Sequence, residues 1–598
     1  MTGADRDKPN GDKPNGDGPN GDKPKHQLAF DAIRRHLDAD ALAEADAALA
    51  DALERWPQQM RLHLLKGELL ERQGETDTAH RHYLAVQQSF PDAPWPNVPL
   101  MRLLAKSGRR REARDLFAEK LWPSAIPDKI KNALLHELTR EAEDPDDALA
   151  FLEAFCEADP HPIPLVLLAG ARMKRHVPDA ALEALEQAVE HAGDEADLPD
   201  HAQTMLLDLR IVSHRLDTAL PLAERLYENN PDQPELAGKL VRILSELGRA
   251  EEAADVLDAA LDRWPGDLQL IRRYNRMFLP PDRDAALFAK LAAAAGDPDA
   301  DPRWLFQYAL ACLPPGRVDA ALATLRGLRE DPIAGSLARP LEEALASRPP
   351  SGWRPREGFS DDRGRDLQVV RETGAETTVI VFAGLMGRLS YLPFSCADAL
   401  LTGRPANVVY LRDRRARAYL TGIAGLGESE AETLEGLRRL LRDLGGSRLI
   451  TLGASMGGYA AMRYAALLGA DAAISLDGPT TIDSVSGSET VESGVSPRFD
   501  GFMRLARTAL LRDLGDRPGL ADCIAAAPAT RIHHCYGADF SAETAAAERL
   551  RGFSNVRLIP VSGVSDHFVG LHMIARGEFD GLLDDVVGPG VVGSAAHA

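Results

Sequence analysis

Residues 448–458 read RLITLGASMGG, a β-rich run that passes directly into a serine flanked by glycines. The run Arg448–Gly453 predicts a buried strand, and the Ala-rich stretch that follows the serine predicts a helix. Gly453 and Gly457 suit a turn that is too tight for side chains at those two positions. Ser455 is therefore expected at the carboxyl edge of a sheet, with its hydroxyl near the N–H groups that open the helix.

This strand is one of several β-rich runs that alternate with amphipathic helical stretches, a pattern typical of a mostly parallel sheet. The runs are Gln368–Glu372, Thr377–Ala383, Asn407–Leu411, Arg448–Gly453, Ala472–Leu476, Arg531–Tyr536 and Val556–Val561. They predict an α/β domain over residues 367–590, followed by a flexible tail at residues 591–598.

Residues 27–346 are rich in Ala, Leu, Arg and Glu, and a repeat runs through them. Its period of 34 residues separates Pro57 from Pro91 and Pro231 from Pro265. Small residues such as Ala79 and Ala253 allow two antiparallel helices to approach closely, and the proline ends the second helix. The pattern resembles the tetratricopeptide repeat, which implies an all-α solenoid that binds peptides or partner proteins. An alternative is that the solenoid only orders the second domain or forms a homodimer.

Composition limits the function further. Residues 1–26 are mostly turn formers and predict a disordered tail, and the Pro/Gly-rich residues 347–366 predict a linker.

The net charge is −22, which argues against nucleic acid as a partner. Five scattered cysteines indicate a reducing compartment. With no apolar leader and no run of about 20 apolar residues, we expect no membrane span and a cytoplasmic location.

A serine needs a base to take its proton, so a histidine should follow Ser455. His567 lies in a loop after the last predicted strand, whereas the other histidines of this domain fall in a strand, a helix or the tail: His533, His534, His572 and His597. The base in turn needs an acid. Asp539 follows the strand Arg531–Tyr536 at the same sheet edge and is our first candidate. Asp477 stays open as an alternative, and Asp566 suits a loop-forming position better.

The order Ser455, Asp539, His567, each after its own strand, resembles the α/β-hydrolase superfamily. That resemblance implies a nucleophile elbow at Ser455 and a serine hydrolase that cleaves an ester or thioester through an acyl-enzyme. It also implies an oxyanion hole formed by the N–H groups of Met456 and Leu385. The same triad would serve an acyltransferase or a peptidase. Because Ala383 stands where the family often has histidine, a catalytically inactive scaffold for protein–protein interaction is the alternative from another class.

The segment after the strand Asn407–Leu411 is rich in arginine. Arg412, Arg414 and Arg415 could receive a carboxylate, phosphate or sulfate of a small-molecule or acylated substrate. The segment could equally be a solvated loop paired internally with Asp413. No paired Cys-x-x-Cys or His-x-x-x-His motif is present, and no glycine-rich loop precedes a lysine. We therefore expect neither a metal nor a cofactor.

Overall fold

The computed structural model describes residues 24–140, 145–175, 177–277, 279–314, 316–482 and 510–590. The predicted tails at 1–26 and 591–598 lie outside this part of the chain, except that the first helix already begins at Lys25. The chain forms two compact units. The first comprises the described residues up to Ala171 together with Gln187–Gly193, and the second comprises Arg172–Glu186 and the described residues from Asp194 onward.

The described residues between Lys25 and Ala346 are mostly helical, as the repeat predicts. The helices up to residue 192 are α1 Lys25–Asp38, α2 Leu42–Arg55, α3 Met60–Arg72, α4 Thr76–Ser89, α5 Asn97–Lys106, α6 Arg110–Leu116, α7 Asp128–Arg140, α8 Pro145–Ala158, α9 Pro162–Lys174 and α10 Pro178–Ala192. They continue with α11 Asp200–Val212, α12 Leu216–Asn229, α13 Pro234–Glu246, α14 Ala250–Arg263, α15 Leu268–Tyr274, α16 Pro281–Ala294, α17 Pro302–Cys312, α18 Val318–Leu328 and α19 Gly335–Ala346. A π-helical turn extends α6 over Phe117–Leu121, and 3₁₀ turns occupy Glu195–Asp197 and Pro350–Trp353.

The small residues and the prolines of the repeat occupy the places that the sequence predicts. Ala79 and Ala253 are fully buried, and each of the four prolines comes two residues after a helix ends. The tight turn between paired helices also follows the period: Gly74, Gly108 and Gly248 have φ near +78° in the left-handed region. His214, which lies 34 residues before Gly248, adopts the same left-handed conformation with φ +59°. A non-glycine residue in this place is strained.

The second unit also contains a seven-stranded sheet. Its strands are β1 Leu367–Val370, β2 Thr377–Phe382, β3 Ala406–Leu411, β6 Arg448–Ala454, β7 Ala472–Leu476, β8 Arg531–Gly537 and β9 Val556–Val561, and β4 Thr421–Ile423 and β5 Gly427–Ser429 form a separate hairpin. The order in the sheet is β1-β3-β2-β6-β7-β8-β9, with β1 antiparallel to β3 and every other pair parallel. The fold is thus an all-α repeat solenoid followed by an α/β domain with a mostly parallel sheet.

The helices of this domain are α20 Phe394–Leu401, α21 Glu430–Leu444, α22 Met456–Leu468, α23 Leu520–Ala526, α24 Ser541–Glu548, α25 Val569–Ala575 and α26 Glu578–Val586. Helix α22 is buried along its first ten residues and packs against β2, β6 and β7. Tyr459 and Tyr464 on this helix are almost completely buried, and each such side chain contributes about 1.5–3 kcal/mol. The helix and the strand before it are thereby held at the centre of the sheet.

The last repeats pack directly on the α/β domain within the second unit. Arg388, which is 4% exposed, donates to the Leu310 carbonyl at 3.2 Å and to Asn275 Oδ1 at 3.4 Å. Arg363 donates to Asp284 at 3.1 Å. Helix α19 packs on α25, and Trp353 in the segment predicted as a linker is buried with its indole N–H bonded to the Leu345 carbonyl. Among the described residues, no helix is both long and apolar enough to cross a membrane.

Candidate active site at the carboxyl edge of the sheet

Ser455 lies on the turn between β6 and α22, with φ +54° and ψ −127°. The flanking glycines make this turn possible: a Cβ on Gly453 would lie 2.0 Å from the Gly457 carbonyl oxygen, and one on Gly457 would lie 2.3 Å from the Phe382 carbonyl oxygen. Neither position can hold a side chain. A non-glycine residue held in such a conformation costs about 1–3 kcal/mol, and such strain clusters at functional sites. The predicted elbow is therefore present.

The predicted histidine, His567, contacts Ser455. Ser455 Oγ lies 3.0 Å from Nε2 of His567, which stands in the loop between β9 and α25. The other histidines have different surroundings: His533 and His534 belong to β8, and His572 on α25 contacts Asp566 at 3.1 Å. Burial lowers the pKa of His534 to about 4. His597 lies outside the described residues. Asp566 accepts from the Phe568 N–H at 3.1 Å and shapes the loop, as expected.

The acid on His567 is Glu543, and the sequence analysis missed it. Glu543 Oε1 lies 2.7 Å from His567 Nδ1, and Oε2 accepts from the Gly537 N–H at 2.7 Å. Our first candidate for this position, Asp539, is placed elsewhere: its Oδ2 accepts from the Gly563 N–H at 2.7 Å and ties two loops together. The reason is where each side chain begins relative to His567. Asp539 belongs to the turn after β8, whereas Glu543 lies in the first turn of α24 and extends back over the strand end.

Asp477, the open alternative, bonds to the backbone of the elbow. Its Oδ1 accepts from the Ser455 N–H at 2.6 Å, and its own backbone has φ +47°. Asp477 thus fixes the backbone of the elbow, while Nδ1 of His567 pairs with Glu543. Burial raises the pKa of Asp477 to about 7, and the carboxylate of Glu543 adds to the rise.

These groups make one tightly coupled cluster. Burial alone would lower the pKa of His567, but the carboxylates of Asp477 and Glu543 outweigh it and raise the pKa to about 9. One ligand atom from each of Asp477, Glu543 and His567 lies within 4.8 Å of the others, a spacing that a metal ion could also use. Both nitrogens of His567 already face partners, since Nδ1 faces Glu543 and Nε2 faces Ser455. The arrangement therefore matches the geometry of a catalytic triad, with Ser455 in the place of the nucleophile, His567 in that of the base and Glu543 in that of the acid.

The loop after β2, residues 383–387 and hereafter the β2 loop, lies against Ser455. A Cβ on Gly384 would lie 3.6 Å from the Cβ of Ser455, and Gly387 N donates to the Gly384 carbonyl at 2.9 Å. Leu385 therefore stands in a tight turn at the serine, with 36% of its surface exposed. Met456 is the first residue of α22, so its N–H has no partner within the helix. Both predicted oxyanion residues are thus next in the chain to a residue of the elbow or one that lies against it: Met456 follows Ser455, and Leu385 follows Gly384.

The predicted substrate-binding arginines are held by acids of the chain. Arg412 is buried, pairs with Asp361 and donates to the Gly387 carbonyl at 3.1 Å, so it braces the β2 loop. Arg414 pairs with the buried Asp366 at 2.5 Å, and the more exposed Arg415 pairs with Glu428 at 3.0 Å. The structure therefore supports the interpretation in which these arginines pair with acids of the chain, not the one in which they bind a substrate anion. The acids that pair with these arginines are other than Asp413.

Comparison with known proteins identifies two stretches of the helical region. The tetratricopeptide-repeat family matches residues 30–94 and again residues 213–272. These two stretches are tetratricopeptide repeats. Both lie inside the region 27–346 whose 34-residue period predicts them, and that resemblance is confirmed. No curated protein matches the chain.

Several solved structures are similar to parts of the chain. PilF of Pseudomonas aeruginosa is 16% identical with a TM-score of 0.22, and the match covers 35% of this chain and 94% of PilF. A chain of the Naa15/Naa10 complex bound to HypK-THB is 18% identical with a TM-score of 0.28, and the match covers 57% of this chain and 54% of that one. A carboxylesterase of the thaumarchaeon Nitrososphaera gargenis is 15% identical with a TM-score of 0.26, and the match covers 37% of this chain and 92% of the esterase.

Proposed function

We propose that the α/β domain is a serine hydrolase that cleaves a carboxylic ester or thioester through an acyl-enzyme. The observation that carries the proposal is the continuous chain from Ser455 Oγ to His567 Nε2 at 3.0 Å and from His567 Nδ1 to Glu543 at 2.7 Å. It stands on a strained elbow at the central strand of the sheet. Because the β2 loop and β6 are adjacent at a point where strand order changes direction, the site also lies where α/β sheets usually bind ligands.

The chemistry follows from this geometry. Ser455 Oγ attacks the acyl carbonyl carbon while His567 Nε2 takes its proton, and Glu543 stabilises the imidazolium that forms. The carbonyl oxygen becomes an oxyanion beside the N–H groups of Met456 and Leu385. The carbon–oxygen or carbon–sulfur bond then breaks as His567 returns the proton to the leaving group. Water repeats the sequence on the acyl-enzyme and releases the carboxylic acid.

The repeats support a second function, the binding of a protein partner. Tetratricopeptide repeats at residues 30–94 and 213–272 are modules that typically bind peptides or proteins on a concave face. In this proposal the solenoid recruits a partner, and the α/β domain acts on an acylated substrate.

Labelling of the purified full-length protein with a neutral fluorophosphonate tests the hydrolase. We expect covalent labelling that is lost in Ser455→Ala and strongly slowed in His567→Ala. His572→Ala is the matched control because His572 contacts Asp566 and lies outside the triad. Absence of labelling in a folded wild-type sample would refute the proposed chemistry and leave the interaction scaffold as the better account.

A further inference from the structure

The segment after the β2 loop makes a strained turn at residues 389–392, hereafter the 389–392 turn. Leu389 and Leu392 exchange backbone hydrogen bonds of 2.9 and 2.8 Å across it. The two residues between them, Ser390 and Tyr391, have φ of +47° and +68°. A turn with two positive φ angles favours asparagine or glycine, and a residue as bulky as tyrosine is strained there. Contacts from the surrounding structure must therefore hold the turn in this conformation.

The turn is connected to the proposed oxyanion hole through Arg388, which directly precedes it in the chain. The carbonyl oxygen of Arg388 accepts from the Gly384 N–H at 2.9 Å. A Cβ added to Gly384 would lie 3.6 Å from the Cβ of Ser455. Gly384 also precedes Leu385, one of the two residues proposed to donate to the oxyanion. The position of Arg388 therefore helps to set where the β2 loop lies against the nucleophile.

The turn also contacts the segment that carries the proposed base. The ring centroids of Tyr391 and Phe568 lie 5.3 Å apart, and Phe568 follows His567 in the chain. A Cβ added to Gly570 would lie 2.5 Å from the Oγ of Ser390, so the start of α25 packs closely on the turn. A shift of the 389–392 turn would thus displace the β2 loop and the segment of His567 together.

Two side chains of the repeat region hold the turn in place. Arg388 is buried and donates to the Asn275 Oδ1 at 3.4 Å and to the Leu310 carbonyl at 3.2 Å. Asn275 is buried too, and its own amide NH₂ is bonded to a backbone carbonyl of α17 at 2.9 Å. Phe306 on α17 is almost completely buried and meets the ring of Tyr391 edge-on, with 5.5 Å between the centroids. The repeat region thus stabilises a strained turn of the α/β domain.

We propose that Asn275 and Phe306 are positioning residues for the acyl transfer at Ser455, so that the last repeats are a working part of the active site. The inference rests on the proposed hydrolase function and assigns to it two residues outside the α/β domain. Both act through intermediate groups: Asn275 acts through Arg388 on the β2 loop, and Phe306 acts through the 389–392 turn on the segment of the base. The last repeats then have a role besides the recruitment of a partner.

Fluorophosphonate labelling of the full-length protein separates positioning from folding. The final extent of labelling reports the fraction of molecules that is folded and active, whereas the rate constant reports the geometry of the site in those molecules. We expect Asn275→Ala and Phe306→Leu to be labelled to the wild-type extent but about 10- to 100-fold more slowly, because a misplacement of about 1 Å costs about 100-fold in rate. With para-nitrophenyl butyrate, kcat should fall by the same factor while KM stays unchanged.

Each variant has a matched partner. Phe288→Leu is the control for Phe306→Leu, because Phe288 is a buried phenylalanine of α16 whose ring packs on Tyr308 within the repeat region. It should be labelled at the wild-type rate. Asn275→Asp is the conservative variant, since its carboxylate can still accept from Arg388, and it should restore the rate that Asn275→Ala loses. The two positions make different contacts, so either one keeps the proposal testable if the other variant does not fold.

The outcomes separate this inference from the proposed function. A wild-type rate constant in Asn275→Ala or in Phe306→Leu, or a loss confined to the extent of labelling, would overturn the positioning role of that residue while Ser455 is still labelled. Equal slowing in Phe288→Leu, or no recovery in Asn275→Asp, would also overturn it, because general loosening of the repeats would then explain the effect. Absence of labelling in the wild type would overturn the proposed function and this inference with it.

Discussion

Two substitutions, Glu543→Gln and Asp539→Asn, test which acid orients His567 through its Nδ1. Glu543 Oε2 accepts from the Gly537 N–H, and Oε1 faces His567 Nδ1, each at 2.7 Å. The backbone N–H of Gly537 can only donate, so a glutamine at 543 has to give it the carbonyl oxygen and turn its NH₂ group toward Nδ1. Nδ1 would then become an acceptor, and the imidazole proton would move to Nε2. In that tautomer His567 cannot take the proton of Ser455.

The size of the effect follows from this change of tautomer. Loss of the correct tautomer in a serine–histidine–acid triad lowers the rate by about 10⁴-fold, equivalent to about 5 kcal/mol of transition-state stabilisation. Asp539→Asn should have little effect on the rate, because an asparagine oxygen can still accept from the Gly563 N–H. The two substitutions are therefore matched in chemistry and opposite in expected outcome.

The assay is the second-order rate constant for fluorophosphonate labelling of the full-length protein, with circular dichroism to verify folding. Ser455→Ala sets the background. If Asp539→Asn slowed labelling more than Glu543→Gln did, the acid assignment made from the structure would be wrong. The same conclusion would follow if folded Glu543→Gln kept a labelling rate close to the wild type.

Three further predictions follow from strain, charge and packing. Ser455→Gly should be more stable than Ser455→Ala by about 1 kcal/mol in thermal unfolding, because glycine tolerates the φ of +54°. The labelling rate should rise with pH toward the His567 pKa of about 9, and Asp477→Asn should shift that rise to lower pH by removing a negative charge. Gly67→Ala should loosen α3 and α4 in hydrogen exchange, because its Cβ would lie 2.1 Å from the ring of buried Tyr83 and overpacking costs about 1–3 kcal/mol.

Each of these has a defined contrary result. Equal unfolding midpoints for the two Ser455 variants would mean that the elbow stores no strain. A labelling rate already constant above neutral pH would contradict the raised His567 pKa. Protonated His567 also stabilises the fold, because its pKa is higher in the folded protein than the ordinary value of 6.5. This contribution to the free energy of unfolding is complete below pH 6.5 and is lost as the pH rises through about 9. For Gly67→Ala, failure of the added substitution Tyr83→Leu to restore protection would show that the ring contact is not the cause.

The sequence predicts those parts of the site that local pattern determines. The elbow is visible because its glycines and serine form one short pattern after a strand, although only Gly453 is required by a contact within that pattern, whereas Gly457 is required by the Phe382 carbonyl of β2. His567 is visible because it follows a strand in a loop. The 34-residue period likewise predicts the helices, their prolines and the buried Ala79 and Ala253.

Two features could not be predicted from local sequence because they depend on tertiary structure: the acid that contacts His567 and the acids that pair with the arginines. Asp539 and Glu543 are one helical turn apart and chemically alike, so only the start of α24 at Ser541 decides which of them reaches His567. Arg412 and Arg414 pair with acids 51 and 48 residues earlier in the chain. The contact of Arg276 with Met386 joins residues 110 apart, which no sequence pattern in this chain indicates.

The buried guanidinium of Arg388 has a consequence for how this protein could have been assembled. It donates to Leu310 and Asn275 of the repeats while standing one residue beyond the β2 loop. A recombination event at residues 347–366 would remove both acceptors from the repeats and leave only the Tyr391 carbonyl, at a cost of about 1–3 kcal/mol. The last repeats and the α/β domain are therefore expected to be inherited as one block.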